Sequence, residues 1–457
     1  MASQLTRANI AIVGGGAAAV ALLKEFAIST DFTGSVCTIA PHTLGTSHAF
    51  TAPFPALTNT PVYNNSLTHR DPGEFHQFLT SRGWPYSLND FTPRFLMASY
   101  VKEAAQRTTS HLFGRHRHLI GHPTGIFKDS SSRWRVTGSH GEIVADAVVL
   151  AGGLGGPQRS IPLGFRSRFI GAVLGSGQQL NACAQKSNRD TPVLVLGTKL
   201  SAVELALAIL DRGGSVCLAS PSGVLPAVRT VLGPSVANHT INTADLRTTI
   251  DESLRWSHTS LAELEARPAS DPLGLLEYEI SEAKVGANSW QHRIGTIIDA
   301  INATEFTDPA HLKSQMATVR TFNSRFISAM PLESAVKLQH AAEEGRFSVK
   351  QLSDTEEDST PFSSVLTAQG FDPPFTPQWV TEEYLTLDNG GAIPAELTSS
   401  LEFRSPDGSP TNIWALGTRS GTVVPIVNYL RTAVLQVPNL VKSISQPAEQ
   451  SLVGEPK

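Results

Sequence analysis

The stretch NIAIVGGGAAAVALLKEF, Asn9 to Phe26, carries an apolar run into three consecutive glycines and then into an alanine-rich segment. Ile10–Val13 has the unbroken apolar character of a parallel strand buried on both faces. Val20, Leu23 and Ala27 then share one face of a helix predicted over Ala17–Ile28. A strand-to-helix turn exposes amides that no helical carbonyl satisfies, and glycines let a ligand approach them to hydrogen-bonding distance. Gly14, Gly16 and Ala19 fit the G-x-G-x-x-A dinucleotide fingerprint: Gly14 for the tight turn, Gly16 for the approach of a pyrophosphate, Ala19 for close packing of helix on strand. The candidate cofactor-binding positions here are Gly14, Gly15, Gly16, Ala17, Ala18 and Ala19. A glycine turn without a ligand is the alternative.

The chain has 457 residues, enough for several domains and a buried cofactor. Its 36 Lys and Arg against 40 Asp and Glu leave a net charge of -4 with no basic run, which argues against a nucleic-acid partner. No apolar run reaches the ~18 residues of a membrane span, and the glycine turn comes too early for a secretory signal. A soluble, cytoplasmic protein with a small-molecule partner is expected, its oligomeric state open. The three cysteines, Cys37, Cys183 and Cys217, form no metal or redox pair, and Cys37 and Cys217 read as small core hydrophobes. His116 and His118 share one strand face, but no further ligand follows at useful spacing, so a solvated face is expected and no metal site.

The organisation recurs in TPVLVLGTKLSAVELALAILDRGGSVCLAS: strand Val193–Leu196, a turn at Gly197, helix Leu200–Leu210, strand Val216–Ala219. Two such βαβ units are far more specific than one. Lys199 stands at the middle-glycine position, where a side chain narrows the approach to the amides while its charge offers a partner to phosphate. The following strand ends in ASPSGVLP, without the arginine that would hold a 2′-phosphate. Between the units, ADAVVLAGGLGGP ends a strand in glycines at Gly152. Late in the chain, NIWALGTRSGTVVPIVNYLRTAV delivers Gly417 and Thr418 at the end of another strand, with a helix expected from about Thr422 that carries Asn428 and Tyr429.

This arrangement resembles the FAD/NAD(P)-binding oxidoreductases with two dinucleotide-binding domains, and more narrowly those related to the ornithine and lysine N-hydroxylases and other single-component flavin monooxygenases. The resemblance extends from about residue 8 to 440 and rests on LGTSHAF at Leu44–Phe50, LTNTP at Leu57–Pro61, DPGEFHQFL at Asp71–Leu79 and PRFLMASY at Pro93–Tyr100. It implies an α/β fold of two Rossmann-like domains with a helical extension. The FAD-binding domain would comprise residues 1–165 and 350–445, and an NAD(P)H-type domain would span 166–349, with helices over about 240–345. A tail, 446–457, would follow. It implies FAD as cofactor and leaves NAD(P)H open.

Where FAD-binding units commonly end the second strand in an acidic residue for the ribose hydroxyls, this chain has Ala40; His42 or backbone groups would have to substitute. Ring-side candidates are Asn59, as the catalytic residue, and Pro61, with Asn64 and Asn65 close behind, since amides hydrogen-bond flavin heteroatoms. Turn chemistry explains the same residues equally simply. Arg94 is a candidate for phosphate or substrate, or for packing with its head in water. Three functions stay compatible: a flavin monooxygenase oxygenating a small metabolite such as an amine or amino acid, an FAD oxidase or dehydrogenase without direct NADPH use, and a non-catalytic nucleotide-binding partner subunit.

Overall fold

The computed structural model describes residues 5–445 apart from 31, 48, 51–55, 130, 132, 140, 155–157, 159–168, 173–176, 234–244, 258, 268–269, 305–308, 358–360, 372–396 and 406–407. The expected tail, 446–457, lies outside the described residues.

The first unit opens with β1 (Leu5–Val13), α1 (Ala17–Ile28), β2 (Val36–Ala40), α2 (Glu74–Thr80), α3 (Arg94–His111), β3 (His116–Ile120), β4 (Pro123–Lys128), β5 (Trp134–Gly138) and β6 (Gly141–Leu150). The second follows with β7 (Phe169–Ala172), α4 (Gly177–Lys186), β8 (Val193–Leu196), α5 (Leu200–Leu210), β9 (Val216–Ser220) and β10 (Val228–Arg229). Helices α6 (Leu246–Leu254), α7 (Leu261–Glu265), α8 (Pro272–Lys284), α9 (Ile294–Ala303), α10 (Pro309–Thr318) and α11 (Arg320–Phe322) lead to a π turn, Asn323–Ile327. Then come β11 (Met330–Pro331), α12 (Leu332–Glu343), β12 (Phe347–Gln351), α13 (Leu352–Glu357), β13 (Ser364–Thr367), β14 (Glu402–Arg404), β15 (Pro410–Ala415) and α14 (Leu430–Ser445).

Two larger, mainly parallel sheets and the short parallel pair β10-β11 result. The first runs β14-β15-β6-β1-β2-β3, with β5 pairing β6 antiparallel and carrying β4; the second runs β12-β9-β8-β13-β7. β1 lies between β2 and β6, parallel to both. Its side chains alternate as a strand requires: Ile10 and Ile12 join the core under α1, α3 and α14, whereas Ala11 and Val13 join the core on the opposite face. β8 repeats this, with Val193 and Val195 on one side and Leu194 and Leu196 on the other. Burial on both faces is why these strands read as unbroken apolar runs. Cys37, Cys183 and Cys217 are buried, and none of the three is in a disulfide.

The second sheet reaches further along the chain than expected. β12 pairs β9, and β13 lies between β8 and β7, so the chain has not yet crossed back to the first sheet at residue 350. β13 is only four residues, SVLT, too short for a period to be legible before its neighbours are known. The helices between β10 and β11 enclose their own core of Leu246, Ile250, Ile297, Ile301, Phe322 and Phe326. Ile426 and Tyr429, from the returning segment, join that same core. The late helix begins at Leu430, not near Thr422, because Pro425 supplies no amide and disfavours helical backbone before it.

Arg94 joins the two units. Its Nε donates to the Leu57 carbonyl at 3.2 Å, Nη1 to the Ala49 carbonyl at 3.0 Å, and Nη2 to Glu204 on α5. Its head is therefore neither in water nor held for a phosphate. Burial raises the Glu204 carboxyl and Arg94 lowers it, so the pair compensates a charge that α5 otherwise carries at the junction. Among the described residues, no helix is long and apolar enough to cross a membrane.

Candidate functional site

The glycine turns sit at the carboxyl ends of their sheets, where an open α/β sheet presents its ligand crevice. At the first turn the Gly14 amide donates to Ile39 at 2.8 Å and the Ala151 amide to Val13 at 2.8 Å. Gly14 has φ +137°, and a Cβ there would lie 2.2 Å from the Ala151 carbonyl oxygen, so only glycine can occupy it. Gly15 is bounded by Ala40, whose Cβ would be 2.9 Å from an added Cβ. Gly16 is different: an added Cβ would meet nothing closer than Ser47 and Thr46 at 3.7 Å. A methyl there would make ordinary contact with the Thr46–Ser47 segment, and Gly16 caps the helix without a side-chain hydrogen bond. The first amides of α1 have no helical carbonyl to satisfy them, and such a helix start favours an anion. Ala17 and Ala19 are buried at the helix start, and Ala18 lies 3.6 Å from where a Gly417 Cβ would stand.

β15 brings the third glycine turn alongside. Gly417, at φ +65°, donates its amide to Gln436 at 2.9 Å. The Thr418 hydroxyl oxygen is buried without a hydrogen-bond partner. Arg419, missed in the sequence, is 6% exposed, and its Nη2 lies 2.9 Å from where a Cβ on Gly152 would stand. Burial pushes its guanidinium down to about 10. A basic residue two places after a strand-ending glycine was the available signal, but only the pairing of β15 with β6 brings it to Gly152. An orphaned hydroxyl, a buried guanidinium and a glycine turn opening a helix, at the carboxyl end of one sheet, suit a dinucleotide carrying a pyrophosphate.

Ala40 ends β2 as expected, so no acid stands there. His42 is exposed, and its carbonyl lies 2.9 Å from His118 Nε2. The two strand histidines are not merely solvated: Thr38 Oγ1 lies 2.9 Å from His116 Nε2 and 2.9 Å from His118 Nδ1. One neutral chain satisfies all three contacts, with His116 Nε2–H donating to the Thr38 hydroxyl, that hydroxyl to His118 Nδ1, and His118 Nε2–H to the His42 carbonyl. Burial, with His118 beside it, pushes the His116 imidazole down to about 4. His118 Cε1 lies 3.6 Å from an added Gly15 Cβ, so its ring walls the side where an acidic residue would otherwise stand.

Asn59 and Pro61 lie on a loop ahead of the short turn Val62–Asn64. Asn65 spends its amide on that loop, donating to the Thr60 and Pro61 carbonyls at 3.2 and 3.0 Å and accepting from Thr60 Oγ1 at 2.8 Å; it is turn chemistry, not a ligand contact. The Asn59 carbonyl accepts from Arg229 across the unit boundary at 3.0 Å. Tyr429 is not a helix-surface residue: it precedes α14, is 6% exposed, and its hydroxyl donates to the Ile327 carbonyl.

The second turn copies the first in backbone. Gly197 has φ +129°, its amide donates to Ala219 at 2.7 Å, and an added Cβ would lie 2.4 Å from the Ala368 carbonyl oxygen. Lys199 occupies the place of Gly16. Its side chain runs from the helix start to the Val224 carbonyl, to which Nζ donates at 3.1 Å. Burial, with Arg325 and Arg320 nearby, pushes it down to about 8. Thr198 Oγ1 meets Ser220 Oγ at 2.9 Å across the same turn. A nicotinamide dinucleotide laid as on the first unit would meet the lysine side chain, so these residues do not fit it in this arrangement.

Residues 11–155 match the model of a family described as FAD-NAD(P)-binding. No curated protein matches the sequence. Among solved structures, the chain is similar to the ornithine N-hydroxylase of Kutzneria sp. 744 in a complex with reduced FAD, NADP+ and L-ornithine, at 15% identity and TM-score 0.60, over 96% of this chain and 99% of that one. It is also similar to the ornithine hydroxylase of Pseudomonas aeruginosa, at 13% identity and TM-score 0.59 over 96% and 99%. The L-lysine 6-monooxygenase of Pseudomonas syringae matches at 14% identity and TM-score 0.59 over 96% and 99%. These likenesses establish the two-unit Rossmann fold.

Proposed function

We propose that this protein is an FAD-dependent oxidoreductase, and that its reaction is the monooxygenation of a small metabolite such as an amine or amino acid. The observation that carries the cofactor is the glycine turn at the start of α1, within the stretch that matches an FAD-NAD(P)-binding family, beside the orphaned Thr418 hydroxyl and the buried Arg419. Support for oxygenation comes from the likeness to structures of N-hydroxylating enzymes over nearly the whole chain.

When bound, FAD supplies the electron transfer and the activation of O₂. The chain's residues hold and orient it. The Gly15, Gly16 and Ala17 amides and the Arg419 guanidinium would take its pyrophosphate, with the Thr418 hydroxyl as a further donor. Asn59 and Pro61, on the loop ahead of Val62–Asn64, would be the residues on the ring side, where an amide can hydrogen-bond flavin heteroatoms. The Arg94–Glu204 pair and the burial of Ile426 and Tyr429 among the helices keep water from the boundary between units. The active centre needs few titrating groups of its own because the cofactor does the redox work.

Lys199 favours a second reading, an FAD oxidase or dehydrogenase whose electrons come from its substrate. Purified protein titrated with FAD tests the shared premise: a yellow holoprotein is expected, and a preparation that acquires no flavin absorbance sinks both readings. Holoprotein reduced with dithionite and then mixed with O₂ and candidate amines or amino acids separates them. Oxygenated product supports the first. Anaerobic bleaching of the oxidised flavin by the substrate alone supports the second.

A further inference from the structure

Arg229 is fully buried, at 0% exposure, on the short strand β10. A buried guanidinium is costly unless its charge is compensated, yet no carboxylate among the described residues pairs with it. Its acceptors are all neutral. Nη2 donates to the carbonyls of Phe326 and Ile327 at 2.6 and 2.8 Å, on the π turn, and Nη1 donates to the Asn59 carbonyl at 3.0 Å. Tyr429 Oη, fixed by its own bond to the Ile327 carbonyl, lies 3.4 Å from Nη1. The Nε is buried without a partner. One planar fork thus reaches from the helical region into the loop that carries Asn59, a span that the compact ammonium of lysine cannot reproduce.

The other end of the Asn59–Thr60 peptide is equally telling. Thr60 is 8% exposed and its side chain is spent on Asn65, but its backbone N–H finds no acceptor among the described residues. Nearly buried amides are seldom left so. A cationic donor on the carbonyl of a peptide polarises that peptide and strengthens its N–H as a donor.

We infer that Arg229 is a positioning residue for the cofactor-facing loop: it fixes and polarises the Asn59–Thr60 peptide from across the unit boundary, so that the Thr60 N–H serves an acceptor on the bound flavin. The inference rests on the FAD reading. It assigns the buried charge a second effect, because a cation near the ring favours the anionic reduced flavin over the neutral oxidised one.

Holoprotein is the material for the test, with amide exchange at Thr60 measured with and without FAD, and the flavin reduction potential measured alongside. FAD is expected to slow exchange at Thr60 by at least tenfold in the wild type. Arg229→Met is expected to lose that protection and to shift the potential to more negative values. Arg229→Lys keeps the charge, so its potential should stay near that of the wild type while the Thr60 protection falls. Tyr429→Phe leaves the three carbonyl bonds in place and should lose only part of the protection, which keeps the test open if the Arg229 variants do not fold. FAD bound at full occupancy without slower exchange at Thr60, or an unmoved potential in Arg229→Met, overturns the inference alone. A protein that binds no FAD overturns it together with the reading beneath it.

Discussion

Gly14 and Ala151 approach so closely that a single methyl on Gly14 would sit 2.2 Å from the Ala151 carbonyl oxygen, while two residues on, at Gly16, the same methyl would touch nothing nearer than 3.7 Å. The turn therefore contains one glycine required by its own sheet and another where a methyl would only touch Thr46 and Ser47 at ordinary contact distance. Gly14→Ala adds both the clash and an unfavourable φ, and is expected to lower stability by roughly 2–4 kcal/mol. Gly16→Leu is expected to leave thermal unfolding of the apoprotein nearly unchanged and to abolish FAD binding. Calorimetry and flavin fluorescence titration on the two variants check this, and equal FAD affinity in Gly16→Leu and wild type would show that the turn is not the site.

Arg419→Met should weaken FAD binding more than Thr418→Val does. A hydrogen bond to a charged group is worth roughly 1.5–3 kcal/mol, which corresponds to a loss of about tenfold to a hundredfold in affinity. Raising the salt concentration should weaken the wild type and leave Arg419→Met less affected, as measured by equilibrium titration.

Lys199 offers a test with a sign. Removing its chain opens the amides of the second turn, so Lys199→Gly is expected to reduce its flavin faster with NADPH or NADH than the wild type does, in anaerobic stopped-flow mixing. Slower reduction in the variant would show that the ammonium grips a phosphate.

These residues also mark how far the sequence could be read. Both βαβ units, their strand ends and the helices at Ala17 and Leu200 were legible because burial on both faces and glycine spacing are local properties. Arg419, Arg229 and the His116–Thr38–His118 chain were not, since each depends on which strands become neighbours: β15 beside β6, β10 beside β11, β3 beside β2. Pro425 could have told against a helix from Thr422, and its weight was missed.

His116 makes the acid limb of stability predictable. Its imidazole is held down to about 4 in the folded protein against an unfolded value near 6.5, so the unfolded chain binds more protons between those values. Stability is therefore expected to fall as pH drops from about 6.5 towards 4, by about 3 kcal/mol from this group. His116→Gln should flatten that slope in urea unfolding series at several pH values; an identical slope in the variant would place its origin elsewhere.

Ile426 and Tyr429 enter the core formed by the helices between β10 and β11, while β15 and α14 complete the first unit. During synthesis the residues that close both regions thus emerge more than a hundred positions after the helices they seal. A nascent chain of this protein must carry an unclosed first sheet and an unclosed helical core at once, with apolar surface exposed until α14 has emerged. Chaperone demand during translation, and sensitivity to truncation anywhere before Leu430, follow from where the chain returns.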